Sequence, residues 1–145
     1  MKYETEVTIH LPRERVVTLL DDPNNLSKWQ PALRSVEHIE GEVAQPGSKT
    51  RLVYDMRGRE VVMIETIVSH NLPDEMSFTF EADGVHNMVQ NTFYAEGERT
   101  RWVMGNQFQF SGFMRVMSLF MGGAFRKQTR EDMERFKEFA EAADM

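Results

Sequence analysis

The chain has no cysteine. That excludes disulfides, thiolate nucleophiles and cysteine-held metal, and it suits a reducing compartment. Long apolar runs are missing too. The richest stretch, GFMRVMSLFMGGAF at 112–125, has Arg115 near its start and meets Arg126 and Lys127 at its end. It falls short of the roughly 20 apolar residues that a spanning helix needs, although interfacial insertion stays open to it. The opening MKYETEVTIHLPRERV has no apolar core of a signal peptide, so the expected location is the cytoplasm. No fixed-period repeat, low-complexity segment or linker divides the 145 residues, and one domain is expected over 1–145.

Positive charge is also in short supply. With 17 Lys and Arg against 23 Asp and Glu, the net charge is −6, which argues against nucleic acid as a partner. The densest basic cluster, FRKQTRED, reads as a solvated helix face. Recognisable catalytic signatures are absent. The four histidines (His10, His38, His70 and His86) are far apart, and there is no HExxH, GxSxG elbow, P-loop or GxGxxG. The expectation is therefore no catalytic constellation, no bound metal and no cofactor.

What is present is a regular alternation of apolar and polar residues. YETEVTIHL alternates through Val7 and Ile9 and reads as a strand. PRERVVTLLDD follows, with Val16, Val17, Leu19 and Leu20 forming one apolar side of a short helix. DPNNLSKWQPAL is rich in turn formers, with room for one more helical turn before Trp29 and Pro31. Strands are expected at 34–40, 49–56, 60–71, 76–82, 86–95 and 101–110, broken by AQPGSK, MRGRE, NLPDE, ADGVH and AEGER. Such short breaks argue for an antiparallel meander, because parallel neighbours need long crossovers. The proline-free segment 112–143 is expected to form one helix about 45 Å long. It is apolar nearly all round to Phe125 and then amphipathic through Met133, Phe136, Phe139 and Ala140.

The order of strand, two short helices, six-strand meander and long C-terminal helix resembles the START-like (helix-grip, SRPBCC) superfamily, and more narrowly its polyketide cyclase/dehydrase-like branch. The resemblance rests on the P-x-x-x-V helix opening at Pro12, the D-x6-W-x-P spacing from Asp22 to Pro31, and the G-x-R-T-R-W hairpin beginning at Gly97. It covers essentially the whole chain. It implies an α+β fold in which a curved antiparallel sheet of about seven strands wraps a long C-terminal helix, with a cavity between them. The Met- and Phe-rich half of that helix would then face the hollow, Met suiting a wall that repacks around its ligand. Plain filling of an irregular core is the competing explanation for the same methionines.

Period-2 reading supplies candidates for the wall. Trp102, Met104, Asn106, Phe108 and Phe110 share one face of the last strand. Met76, Phe78 and Phe80 share another, as do Leu52, Tyr54 and Met56, while Val89 and Phe93 bring Asn87 and Asn91 with them. From the helix come Phe113, Met117, Phe120 and Met121, and from the loop Trp29, either at a pocket mouth or as an anchor. Asn91 and Asn106 are polar on apolar faces, so they either satisfy core groups or meet a ligand. The strand at 60–71 is apolar on both faces and its phase is unassigned, leaving Glu65 inward or outward.

Three functions compete on this reading. Binding of a hydrophobic small molecule, lipid-like or aromatic, is preferred, without catalysis. A cyclase or dehydratase would need a proton-handling group, Glu65 or Tyr54, inside the cavity. A protein-interaction module would show a filled core and an exposed apolar patch, and a homodimer would be the simplest cover for it.

Overall fold

In a computed structural model, which describes residues 1–121 and 123–143, each expected strand forms within two residues of its expected ends. The strands are β1 (Lys2–Ile9), β2 (Leu33–Glu40), β3 (Lys49–Met56), β4 (Arg59–Asn71), β5 (Glu75–Ala82), β6 (Val85–Glu96) and β7 (Arg99–Phe110). All pairings are antiparallel. The open seven-stranded sheet has the order β1-β7-β6-β5-β4-β3-β2. Short turns build the meander from β2 to β7, and β1 then adds to its far side.

Between β1 and β2 come α1 (Arg13–Asp21), a 3-10 turn (Pro23–Asn25) and α2 (Leu26–Trp29). The four apolar residues of α1 are all buried. Asp22 caps the 3-10 turn through its carboxylate, which accepts the Asn24 N–H at 3.0 Å. Asn25 locks the turn back onto α1 by donating to the Leu19 carbonyl at 3.0 Å.

The C-terminal segment departs from the expected single helix. It forms α3 (Phe113–Met121) and α4 (Ala124–Ala143). Gly123 stands in the turn between them, and its carbonyl accepts the Lys127 N–H at 2.9 Å to start α4; Gly122 lies outside the described residues. Glycine in a helix interior costs about 1 kcal/mol against alanine, so Gly123 is a natural place for a new helix to start. The 20 residues of α4 make it about 30 Å long rather than 45 Å.

The core gathers where α1, α2 and the C-terminal half of α4 meet β1, β6 and β7. Trp102, Phe93, Phe136, Ile9, Met133 and Val16 are enclosed almost completely. Phe136 lies edge-on to both Trp29 and Trp102, with centroids 5.4 Å apart in each case. This arrangement carries the sheet's two ends towards one helix, since Trp29 leads into β2 and Trp102 sits on β7. Along its length α4 packs on β1 and against α2.

Candidate functional site

Register decides which side chains face α4. Opposed residues of antiparallel strands share a face, and the pairs run Thr50–Glu65, Glu65–Phe80, Phe80–Asn87 and Asn87–Phe108 across β3 to β7. A second row runs Leu52–Met63 on β3 and β4, and a third runs Ile67–Phe78, Phe78–Val89 and Val89–Asn106 across β4 to β7. The phase of β4 is thus settled. Val61, Met63, Glu65 and Ile67 face inward, and Val62 and Ile64 face outward. A register shift between Ile67 and Ser69 then returns His70 to the inward side opposite Met76. That bulge, with an exposed Val68 inside it, accounts for the ambiguous alternation of this strand.

The candidate residues divide into three groups. Trp29, Asn91, Phe93 and Trp102 lie within the packed core, between 1% and 7% exposed. Trp102 Nε1 donates to Asn91 Oδ1 at 2.9 Å, so the Asn91 oxygen serves a core indole. Trp29 is the anchor of its loop, held against Phe136.

Tyr54, Phe78, Phe80, Met104, Asn106 and Phe108 form the second group, on the inward wall beside Met63 and Ile67. Except for Asn106, all of these keep part of their surface open. Asn106 is 4% exposed; its Oδ1 accepts from Asn87 Nδ2 at 3.1 Å, and its own Nδ2 has no partner among the described residues. Phe108 also joins Phe110, Phe125 and Tyr3 in an aromatic cluster at the N-terminal end of α4. There the Tyr3 hydroxyl lies 2.7 Å from Thr129 Oγ1.

Glu65 stands in the middle of this wall, flanked by Met63 and Ile67 on its own strand and by Thr50 and Phe80 across it. None of these carries a positive charge. Burial, and secondarily the Asp21 carboxylate, push the Glu65 carboxyl up to about 7. Tyr54, one strand away, donates its hydroxyl to Gln30 Oε1 at 2.6 Å. Its phenol is raised well above the usual range by burial and by the Glu65 and Asp132 carboxylates. Asp132, on α4, is itself raised by burial while Gln128 and Arg135 pull it back down.

The third group is on α3. Phe113 and Phe120, at 75% and 80% exposed, point into solvent, whereas Met117 and Met121 are partly buried. The structure does not bring Phe113 and Phe120 to the inward wall, because α3 ends before α4 begins and turns its methionine side to the protein.

Two residues escaped the sequence reading. Asp132 lies one residue before Met133 and four before Phe136, so helical spacing places it next to the buried stripe of α4. Gln30 had no signal beyond its place beside Trp29. Two open surface depressions, one along Arg126–Glu138 of α4 and one around His10–Pro12 and Glu96–Arg99, include no inward residue of the sheet.

An open antiparallel sheet gripping a C-terminal helix, with short helices inserted after the first strand, is the helix-grip architecture of START-like proteins. The chain belongs to the family described as polyketide cyclase / dehydrase and lipid transport, whose model matches residues 1–141. Among solved structures it is similar to a protein from Thermus thermophilus, with 23% identity over 100% of both chains and a TM-score of 0.78. The Zhui aromatase/cyclase from a Streptomyces species has 17% identity over 100% of this chain and 96% of that one, with a TM-score of 0.81. A START superfamily protein from Mycobacterium smegmatis has 13% identity over 98% and 95%, with a TM-score of 0.73. These likenesses establish the fold. No curated protein matches the sequence significantly. Among the described residues, no helix is long and apolar enough to cross a membrane.

Proposed function

We propose that the chain binds a hydrophobic small molecule, lipid-like or aromatic and polyketide-like, against the inward wall of β3 to β7, and that it does so in the cytoplasm. One observation carries this reading. Met63, Ile67, Phe78, Phe80, Met104 and Phe108 all face inward, yet each remains partly open. Covering such surface is worth about 25 cal/mol per Å², and Met and Phe give a wall that adapts to shape. The enclosed Asn106 Nδ2, which has no partner among the described residues, is a donor that a ligand carbonyl or hydroxyl oxygen would satisfy.

The test is native mass spectrometry of the protein from its own host, followed by organic extraction. A co-purifying hydrophobic mass that disappears in Met63→Trp, which fills the wall, is the expected result. An apo mass, together with no uptake of fluorescent fatty-acyl or polycyclic aromatic probes, would remove the reading.

A second reading rests on Glu65. A carboxyl poised near 7 is suited to moving protons at neutral pH. In a cyclase-type reaction its carboxylate would take the proton from a carbon flanked by two carbonyls. The resulting enolate carbon would bond to a third carbonyl carbon of the same molecule, whose oxygen would recover the proton from Glu65. The Tyr54 hydroxyl is already engaged in a hydrogen bond to Gln30, which leaves Glu65 as the acting group. Glu65→Gln should then retain ligand while lowering product formation about 10²- to 10⁴-fold. Equal turnover in the two proteins would leave the binding role alone.

A further inference from the structure

Helix α3 has two unlike apolar sides. At 100° per residue, Met114, Met117 and Met121 fall on one arc and Phe113, Val116, Leu119 and Phe120 on the other. The methionine arc is seated on the protein. Gly84, in the turn between β5 and β6, has a positive φ of 75°, and a Cβ there would come within 3.0 Å of Met114 Cγ. The Ser111 N–H donates to the Gly84 carbonyl at 2.9 Å and fixes the start of the helix at the same turn. The opposite arc is bare, with Phe113, Val116, Leu119 and Phe120 exposed by 75%, 53%, 80% and 80%. Isolated apolar residues on a surface need no explanation, but four on one arc of one short helix do.

Charge along this part of the chain is one-sided, the nearest acidic neighbour of the α3 seat being Asp83 beside Gly84 on the methionine side. No acidic residue occurs between Glu98 and Glu131, although the chain as a whole carries −6. Arg115 projects from α3 next to the bare arc, and Arg126, Lys127 and Arg130 occupy the first two turns of α4, all exposed. Arg126 donates to the Glu4 carbonyl at 3.0 Å, and Lys127 lies 4.0 Å from Glu131 with 79% of its side chain in solvent.

We infer that α3 and the first turns of α4 dock on an anionic lipid bilayer, with Phe113, Val116, Leu119 and Phe120 entering the interface and Arg115, Arg126, Lys127 and Arg130 resting on the headgroups. Apolar side chains on a helix fringed by cations are the pattern of an interfacial helix, and basic residues at the surface add a salt-sensitive attraction to acidic lipid. Charge argues against a second copy as the occupant. A two-fold contact would set this patch against itself and bring four positive charges onto four. The surface is independent of what the inward wall holds, but it adjoins it, since α3 packs on β7, the strand that carries Phe108 and Phe110.

The experiment is vesicle flotation of the full chain with phosphatidylcholine alone and with phosphatidylcholine containing phosphatidylglycerol. The wild type should float with the anionic vesicles, at least about tenfold better than with neutral ones, and should be released by high salt. Leu119→Asp with Phe120→Asp should abolish flotation. Arg126→Glu with Lys127→Glu should remove the preference for phosphatidylglycerol. All four positions are exposed, and circular dichroism would verify the fold of each variant. Absence of wild-type flotation, or flotation unchanged by the Asp pair, overturns the inference. So does light scattering that finds a dimer which the Asp pair dissociates, since the bare arc would then be covered by another copy.

Discussion

Tyr54 on β3 donates its hydroxyl to Gln30 Oε1 at 2.6 Å, tying the sheet to the residue that closes α2. Burial, with the Glu65 and Asp132 carboxylates, keeps this phenol protonated far beyond neutral pH, so the bond holds over the whole working range. Tyr54→Phe keeps the ring and loses the bond. Urea unfolding should show a loss of about 1 kcal/mol, independent of pH between neutral and mildly alkaline conditions.

Glu65 should make stability depend on pH in the direction opposite to a paired carboxylate. Its folded value of about 7 lies above the ordinary 4.5, so the folded chain holds the proton more tightly than the unfolded one. The charged group acting on it is the Asp21 carboxylate at the end of α1, which itself lies 2.9 Å from His70 Nε2. Stability associated with Glu65 is therefore present below about 4.5 and is lost as pH rises through about 7. Glu65→Gln removes that loss. The variant should be more stable than wild type at pH 8 by roughly 3 kcal/mol, and most of the gap should be gone by pH 5. Thermal melts across that range would read it, and a gap that widens towards acid would contradict the assignment.

The two buried asparagines should respond differently to the same change. Asn91→Leu leaves the Trp102 indole N–H without its acceptor inside the core, at a cost of about 2–3 kcal/mol. Asn106→Leu gives up one amide contact from Asn87 but also removes an Nδ2 that has no partner among the described residues. Its cost should be within about 1 kcal/mol. Denaturant titration of both variants separates an amide that serves a core indole from one whose Nδ2 has no partner among the described residues.

Phe136→Ala empties the space between the two tryptophans of the chain. A loss of about 3–5 kcal/mol is expected. Trp29 and Trp102 should both change their fluorescence in the remaining folded fraction, because each loses the same edge-on neighbour.

Much of the fold was legible because alternation and turn chemistry agree along the meander. Val7 and Ile9, Leu52 and Tyr54, and Met104 and Phe108 each keep a clean period of two, and their breaks hold Gly, Pro or Asp. The phase of β4 was not legible, since Val61–Ile64 is apolar at every position and the bulge at Val68 disturbs the count. Only pairing with β3 and β5 orients Glu65. The long helix was misread at its middle. Composition favours helix through the whole of 112–143, whereas α4 starts afresh after Gly123, a residue at which local propensity weakens a helix without announcing a break. Of the candidate wall, the strand residues Phe78, Phe80, Met104 and Phe108 follow from alternation alone. Phe93 and Trp102 share that alternation, but their enclosure together with Trp29 of α2 depends on Phe136, a contact between distant segments.

The position of β1 has a consequence for the order in which the molecule can be completed. Among the described residues Lys2–Ile9 pair with β7 alone, register partners such as Val7 and Trp102 being nearly a hundred positions apart. During synthesis the first strand therefore leaves the ribosome long before its partner exists, and Val7 and Ile9 wait without cover until β7 and α4 follow. Contacts of such wide separation slow folding and prolong the exposure of apolar segments. A chain of this topology leaves β1 without its partner until β7 is made, and losing α4, which packs on β1, would forfeit that strand as well as the helix.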